Sequence, residues 1–199
     1  QVIERNGYKY DTGPTVITAP FLIEELFNLF NEKLSDHLEF KPLDPWYRFH
    51  FHDSTTFDYS STVEETKKEI SKFSPEDAES YDNLLKESEK IFDIGFTKLS
   101  DQPFTSFWTM IKQIPYLLKL KSYESVSKMV SRHIKNKNIR SAFSIHPLLV
   151  GGNPYTTTSI YSLIHFLERK WGVFFCMGGT GKLVEELTNL MKRNDINIE

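Results

Sequence analysis

Apolar and polar residues alternate from Val2 to Arg5 and again from Tyr8 to Asp11, with Asn6-Gly7 between them. That pattern predicts a β-hairpin closed by a tight primed turn, because Asn-Gly accepts the positive φ angles such a turn needs. Gly13-Pro14-Thr15 ends the hairpin. Thr18 is then expected to cap a helix starting near Ala19, with Pro20 in the first turn, where a missing N–H costs nothing. Leu22, Leu26, Leu29 and Phe30 are its expected core face. Leu38 to Tyr59 reads as a second hairpin, in which Tyr47, Phe49 and Phe51 alternate with Arg48, His50 and His52, and Phe57 and Tyr59 continue the pattern.

From Ser61 the period becomes helical. Ser61 or Thr62 caps a first helix whose Glu64, Glu65, Lys67, Lys68 and Glu69 form a solvated face. Ser74-Pro75-Glu76-Asp77 starts another, with acids at its positive end. Tyr81, Leu84, Leu85, Ser88, Ile91, Phe92 and Gly95 keep its spacing to about Leu99. Phe104 to Lys121 is densely apolar and is divided by Pro115 into two short helices. The stretch from Ser144 to Leu183 organises the rest. Pro147-Leu148-Leu149-Val150 breaks at Gly151-Gly152, and Asn153-Pro154 suits a helix start. Ile160, Leu163, Ile164 and Leu167 follow at i, i+3, i+4, i+7, so one helix face is expected to be buried. Trp171 to Phe175 reads as a short aromatic strand, and Lys182 to Arg193 as a helix after Gly178, Gly179 and Gly181.

Composition narrows the classes. With 199 residues the chain can bury a core and make one or two domains. A net charge of −3 argues against general nucleic-acid binding. Sixteen Phe and nine Tyr suit a core or groove holding something large and apolar. Cys176 stands alone, which excludes an internal disulfide and points to a reducing compartment, hence an expected cytoplasmic location. No apolar run reaches membrane-spanning length. Gln1 to Arg5 reads as a strand in progress and Ile196 to Glu199 as one just begun, so a fragment of a longer chain is expected.

Charge is unevenly spread. Acids concentrate between Glu64 and Asp101, whereas Lys112, Lys119, Lys121, Lys128, Arg132, Lys135, Lys137 and Arg140 face only Glu124. An interfacial membrane patch would use Phe107, Trp108, Ile111 and Leu117 under the headgroups, with Lys112, Lys119 and Lys121 meeting anionic lipid. A buried helix pair with a solvated rim explains the pattern equally well. His50 and His52 share a strand face near Asp53, but no third ligand is evident, so no metal site is assigned.

Two glycine breaks flanking one helix bring bare backbone close to something, and two tight turns are the plainer reading. A phosphate-binding P-loop is excluded: Cys176 stands where its first glycine belongs, and Leu183 where its Ser or Thr belongs. A dinucleotide fingerprint through Gly179 and Gly181 fails at Val184.

The phrases Ser144 to Pro154 (SIHPLLVGGNP), Trp171 to Gly181 (WGVFFCMGGTG) and Asp11 to Thr18 (DTGPTVIT) resemble the bacterial phytoene desaturase family, FAD-dependent carotenoid desaturases with dehydrosqualene desaturases close by. The resemblance runs over essentially the whole chain. It implies an α+β fold: part of a two-domain flavin-dependent oxidoreductase, mainly the substrate-binding sheet with a helical lid, lacking the N-terminal dinucleotide-binding βαβ unit. On that reading residues 1–35 edge the FAD-binding domain, 36–193 form the substrate-binding domain with a membrane-facing insert, and 194–199 begin a strand returning to the first.

The resemblance also implies roles. Gly13, Pro14, Thr15 and Gly178, Gly179, Thr180 would lie against FAD; Phe143, Leu149, Asn153 and Tyr155 would contact an apolar isoprenoid; Arg140 and His146 are the candidates for a catalytic group. A linear isoprenoid offers no charge, so recognition must come from apolar surface, while the flavin takes a hydride. The implied partners are that isoprenoid, a membrane surface for a peripherally associated protein, and the remainder of the chain, with no nucleic acid. The rival activities are a flavin-dependent carotenoid isomerase, ketolase or later-step desaturase, and a non-catalytic lipid-binding module.

Overall fold

The structure, a computed structural model, describes residues 2–96, 114–115 and 117–198. It is a mixture of helix and sheet in two compact units, residues 1–44 with 171–199 and residues 45–170.

In the first unit β1 (Val2–Arg5) and β2 (Tyr8–Asp11) pair antiparallel with Val2 opposite Asp11. Asn6 and Gly7 both have positive φ, as the primed turn requires. A three-stranded antiparallel sheet places β7 (Phe174–Cys176) between β3 (Val16–Ile17) and β4 (Phe40–Pro42). Thus β4 does not join the hairpin expected over 38–59; Leu43 N donates to Val173 O at 2.9 Å and carries it away. Against this sheet lie α1 (Pro20–Asn28) and, further along, α7 (Thr180–Arg193), around a core of Phe27, Leu34, Leu38, Cys176 and Leu190.

The core face of α1 differs from the expectation. Ile23 and Phe27 pack inward, while Leu22, Leu26, Leu29 and Phe30 are exposed. The helix is apolar on two adjacent stripes, so periodicity alone does not say which one faces inward. Its N-cap is Ala19 with no side-chain hydrogen bond, not Thr18. Trp171 ends a helix instead of opening a strand, Gly172 turns the chain at φ 85°, and only then does β7 begin. Residues 196–198 form no strand.

The second unit starts with the hairpin β5 (Tyr47–His50) and β6 (Thr56–Tyr59). Thr62 caps α2 (Val63–Ser71) by accepting from Glu65 N, and Ser74 caps α3 (Pro75–Gly95) by accepting from Asp77 N. Then come α4 (Val126–His133), α5 (Lys137–Phe143), a 3-10 turn at His146–Val150, and α6 (Leu163–Trp171), the last of these reaching the edge of the unit. Phe143 is the aromatic hub: its ring lies 5.7 Å from Phe57, 5.5 Å from Tyr59 and 5.1 Å from Tyr81.

No helix starts at Asn153-Pro154. Asn153 Oδ1 accepts from Tyr155 N at 2.9 Å, an Asx turn, and the carbonyls of Pro154 and Thr157 accept from Ser127 N and Val126 N. Those carbonyls serve the start of α4, and the segment closes as a single turn in which Asn153 O accepts from Thr156 N and Thr157 N. Thr158 caps a 3-10 turn at Ser159–Ser162, which leads into α6. The inward face of α6 carries His165, Leu167 and Glu168, so the expected apolar stripe is only part of what is buried.

Candidate functional site

Two clefts collect the residues the sequence singles out. The first lies in the unit formed by residues 1–44 and 171–199. Antiparallel pairing of Val16 with Phe175 draws the 13–15 segment alongside the turn at 177–179. Gly13, Pro14 and Thr15 are exposed, as is Gly178. Gly178 and Gly179, but not Gly13, Pro14, Thr15 or Thr180, line a cleft of about 630 Å³ together with Asp11, Phe175, Gly181 and Lys182, among others. Asp11 is the residue that the hydropathy pattern does not reveal. Its two carboxylate oxygens accept from Thr180 N and Gly181 N, each at 3.1 Å, and so cap α7 from 169 residues away in sequence. The glycines at 179 and 181 answer to this packing: a Cβ at 179 would overlap Asp11, and one at 181 would overlap Val2. Gly13, by contrast, has open space where a Cβ would stand, so its backbone is free to meet a ligand.

The second cleft is a groove of about 1080 Å³ in the unit of residues 45–170. It brings together Arg140, Asn153 and Tyr155, with Leu148 lining it in place of Leu149. Lys128 and Lys137 stand beside Arg140, and five serines complete much of the wall. Among the described residues no carboxylate lines it. The lining is therefore cationic and hydroxyl-rich. Leu148 also lines it, and Leu149 and Val150 continue from there as an exposed apolar run.

Phe143 and His146 do not line the groove. Phe143 is spent in the aromatic core, and His146 is buried with Nε2 3.2 Å from Glu168 Oε2. Glu168, fully buried, also accepts from the Tyr47 hydroxyl at 2.8 Å. Burial, reinforced by that carboxylate, pushes the Tyr47 phenol well above its ordinary range. Next to it, His165 Nδ1 lies 3.0 Å from the Tyr59 hydroxyl, and burial holds the imidazole well below its usual pKa. Arg169 sits over the rings of Trp46 and Tyr59 at 4.5 and 4.4 Å and donates to Tyr81 Oη, Ser60 O and Thr66 Oγ1. This polar knot is closed to ligands and holds the unit together. His50 and His52 remain on the exposed side of their hairpin, and Asp53 is occupied by Thr55 and Asn138. Among the described residues no three His, Cys, Asp or Glu side chains converge for a metal.

Of the proposed membrane face, Phe107, Trp108, Ile111 and Lys112 lie outside the described residues. Lys119 and Lys121 are exposed and Leu117 is half-buried, with Ile114 and Leu118 exposed beside them. No helix among the described residues is long and apolar enough to cross a membrane.

Residues 1–198 match the flavin containing amine oxidoreductase family. The chain belongs to that family. It is 45% identical over 184 residues to a lycopene-forming phytoene desaturase of Pseudescherichia vulneris, covering 92% of this chain and 37% of that protein. It is 44% identical over 191 residues to the lycopene-forming enzyme of Pantoea ananas, covering 96% and 39%. A 4,4'-diapolycopen-4-al dehydrogenase of Metabacillus indicus is 30% identical over 200 residues, covering 98% and 40%. The chain thus spans about two-fifths of the length of the curated relatives it matches.

Proposed function

We propose that the protein is an FAD-dependent desaturase that removes hydrogen from a long linear isoprenoid, phytoene or dehydrosqualene, in carotenoid biosynthesis. The observation that carries this reading is 45% identity to a lycopene-forming desaturase across 92% of the chain. Family membership supports a flavin cofactor. The open backbone at Gly13, the exposed Pro14 and Thr15, and the neighbouring exposed turn at Gly178 fit a flat ligand approaching the backbone closely, with Gly179 and Thr180 packed behind them at the start of the helix. When bound, FAD would accept the hydride while the second hydrogen leaves as a proton.

What this chain's own residues do is position and shelter. The 1–44 with 171–199 unit would present the flavin-facing edge, and the 45–170 unit would present hydrocarbon-facing surface at Leu148, Leu149, Val150 and Tyr155. The exposed Ile114 and Leu118 with Lys119 and Lys121 support a peripheral membrane contact through which an apolar substrate would arrive. The chemistry of the Metabacillus indicus relative favours one alternative, oxidation of a terminal carbonyl on a shorter polyene.

The complete protein, supplied with FAD and then with phytoene or dehydrosqualene, decides between them. Visible polyene absorption from either hydrocarbon is the expected result. A flavin-loaded protein that leaves both colourless, yet oxidises a polyene aldehyde, would replace the desaturase reading with the alternative.

A further inference from the structure

We propose that the groove at Lys128, Lys137 and Arg140 is a binding site for the phosphate of an anionic lipid, with the apolar run 148–150 beside it receiving the start of the acyl chains. The charge balance comes first. Among the described residues three cations line the groove and no carboxylate does. Lys128 lies 3.7 Å from Glu124, which Arg132 also engages, but Lys137 and Arg140 have no acidic partner among the described residues. Arg140 is half-buried, and a guanidinium removed from bulk water ordinarily has acceptors for its fork of donors. Phosphate oxygens match that fork.

Neutral donors converge on the same space. The Ser125 oxygen accepts from Lys128 N, which leaves the hydroxyl proton to donate outward, and Asn153 uses only its carbonyl oxygen in the turn to Tyr155, so its amide hydrogens remain. None of these groups has a use in holding an uncharged hydrocarbon. The headgroup site therefore differs from the isoprenoid surface, the two ligands sharing only Tyr155 and the apolar run 148–150, and with no isoprenoid present lipid binding stands or falls separately from the desaturase reading.

The rim selects an amphiphile over a free anion. Leu148, Leu149 and Val150 are 60%, 40% and 57% exposed in one turn at the groove. Inorganic phosphate would leave them in water; a phospholipid covers them while its headgroup meets the cations.

The test uses the complete protein with no isoprenoid present. Its probes are dihexanoyl phosphatidic acid, inorganic phosphate, and phosphatidylcholine vesicles with and without phosphatidic acid. Arg140→Gln and Lys137→Gln should each weaken phosphatidic acid binding roughly tenfold or more, and Arg140→Lys should weaken it less. Leu149→Asn should weaken the lipid but leave phosphate unchanged, and Lys9→Gln, in the other unit, should change nothing. Lys137 is exposed, so its variant reports on binding with the fold intact, as circular dichroism would verify. Inorganic phosphate binding as tightly as the lipid would overturn the lipid assignment. Undiminished capture of Lys137→Gln and Arg140→Gln proteins by phosphatidic acid vesicles would overturn the site itself.

Discussion

Asp11 Oδ2 stands where the Cβ of any residue at position 179 other than glycine would have to be. Gly179 is also held at φ 83° and ψ 172°, a region that only glycine occupies without strain. Gly179→Ala should therefore cost roughly 1–3 kcal/mol from backbone strain, and more from displacing the carboxylate. Asp11→Ala should cost about 1 kcal/mol through loss of the cap on Thr180 N and Gly181 N. Because both changes act on one contact, the double variant should be less destabilised than the sum of the two. Urea unfolding of the four proteins measures this, and strict additivity would mean the contact is not shared.

Asp77 performs the corresponding task in the other unit. It is 1% exposed, and its oxygens accept from Lys135 N at 2.8 Å and Asn136 N at 2.7 Å, tying the start of α5 to α3. Asp77→Ala would leave two backbone donors short of partners, at about 2–4 kcal/mol in total. Asp77→Asn should recover only part of this, since an amide offers one acceptor where two are used. Hydrogen exchange should speed most at residues 135–143. Uniform loss of protection across the unit would instead make Asp77 a general stability residue.

Arg169 combines packing and hydrogen bonding in a way no single substitution preserves. Its guanidinium covers two aromatic rings and donates at 3.1, 2.8 and 2.7 Å to Tyr81, Ser60 and Thr66. Arg169→Met keeps length but forfeits the charge, at an expected cost of roughly 3 kcal/mol or more. Arg169→Lys keeps the charge without the planar fork and should fall between the two. Denaturation midpoints rank the three. A lysine variant as stable as wild type would show that only charge matters here.

Much of this was legible in the sequence, for local reasons. The Asn-Gly turn, the helix starts at 61–62 and at Ser74, and the helical spacing from Tyr81 to Gly95 depend on neighbours a few residues apart, and each stands where the pattern puts it, with Thr62 the first cap rather than Ser61. The segments around Gly13 and Gly178 were each singled out by resemblance alone, and the pairing of β3 with β7 that sets them side by side is a long-range fact. What the pattern hides is decided at long range. Leu22 and Ile23 are equally apolar, and only the position of the sheet and α7 chooses between them. Pro154 looks like a helix start until its carbonyl is claimed by Ser127 N, 27 residues earlier. Glu168 and His165 lie off the expected apolar stripe, yet they are buried at the centre of their unit, where Tyr47 and His146 reach the Glu168 carboxylate and Tyr59 reaches His165 Nδ1 from distant segments.

His165 makes the stability of the second unit depend on pH, with a sign that follows from its surroundings. Burial is the main reason its pKa falls well below the ordinary value, with the neighbouring His146 and the Arg169 charge acting in the same direction. The unfolded chain takes up a proton on this imidazole near pH 6.5, while the folded chain does not until much lower pH. Above about pH 6.5 the group is neutral in both states and contributes nothing to the pH dependence. Below that, the unfolded state binds more protons, so stability should fall as pH falls, by up to about 1.4 kcal/mol per unit, until the folded-state pKa is reached. The loss therefore begins at higher pH than any arising from carboxylates whose folded pKa is depressed, such as Asp58, held low chiefly by its hydrogen bond from Arg48. His165→Phe keeps a ring against Tyr59, which the imidazole stacks on at 5.6 Å, and removes the titration. That variant should be less stable at pH 7.5 but should show a shallower decline between pH 6.5 and 5.5. Parallel slopes for variant and wild type in urea titrations over that interval would mean the protons are taken up elsewhere.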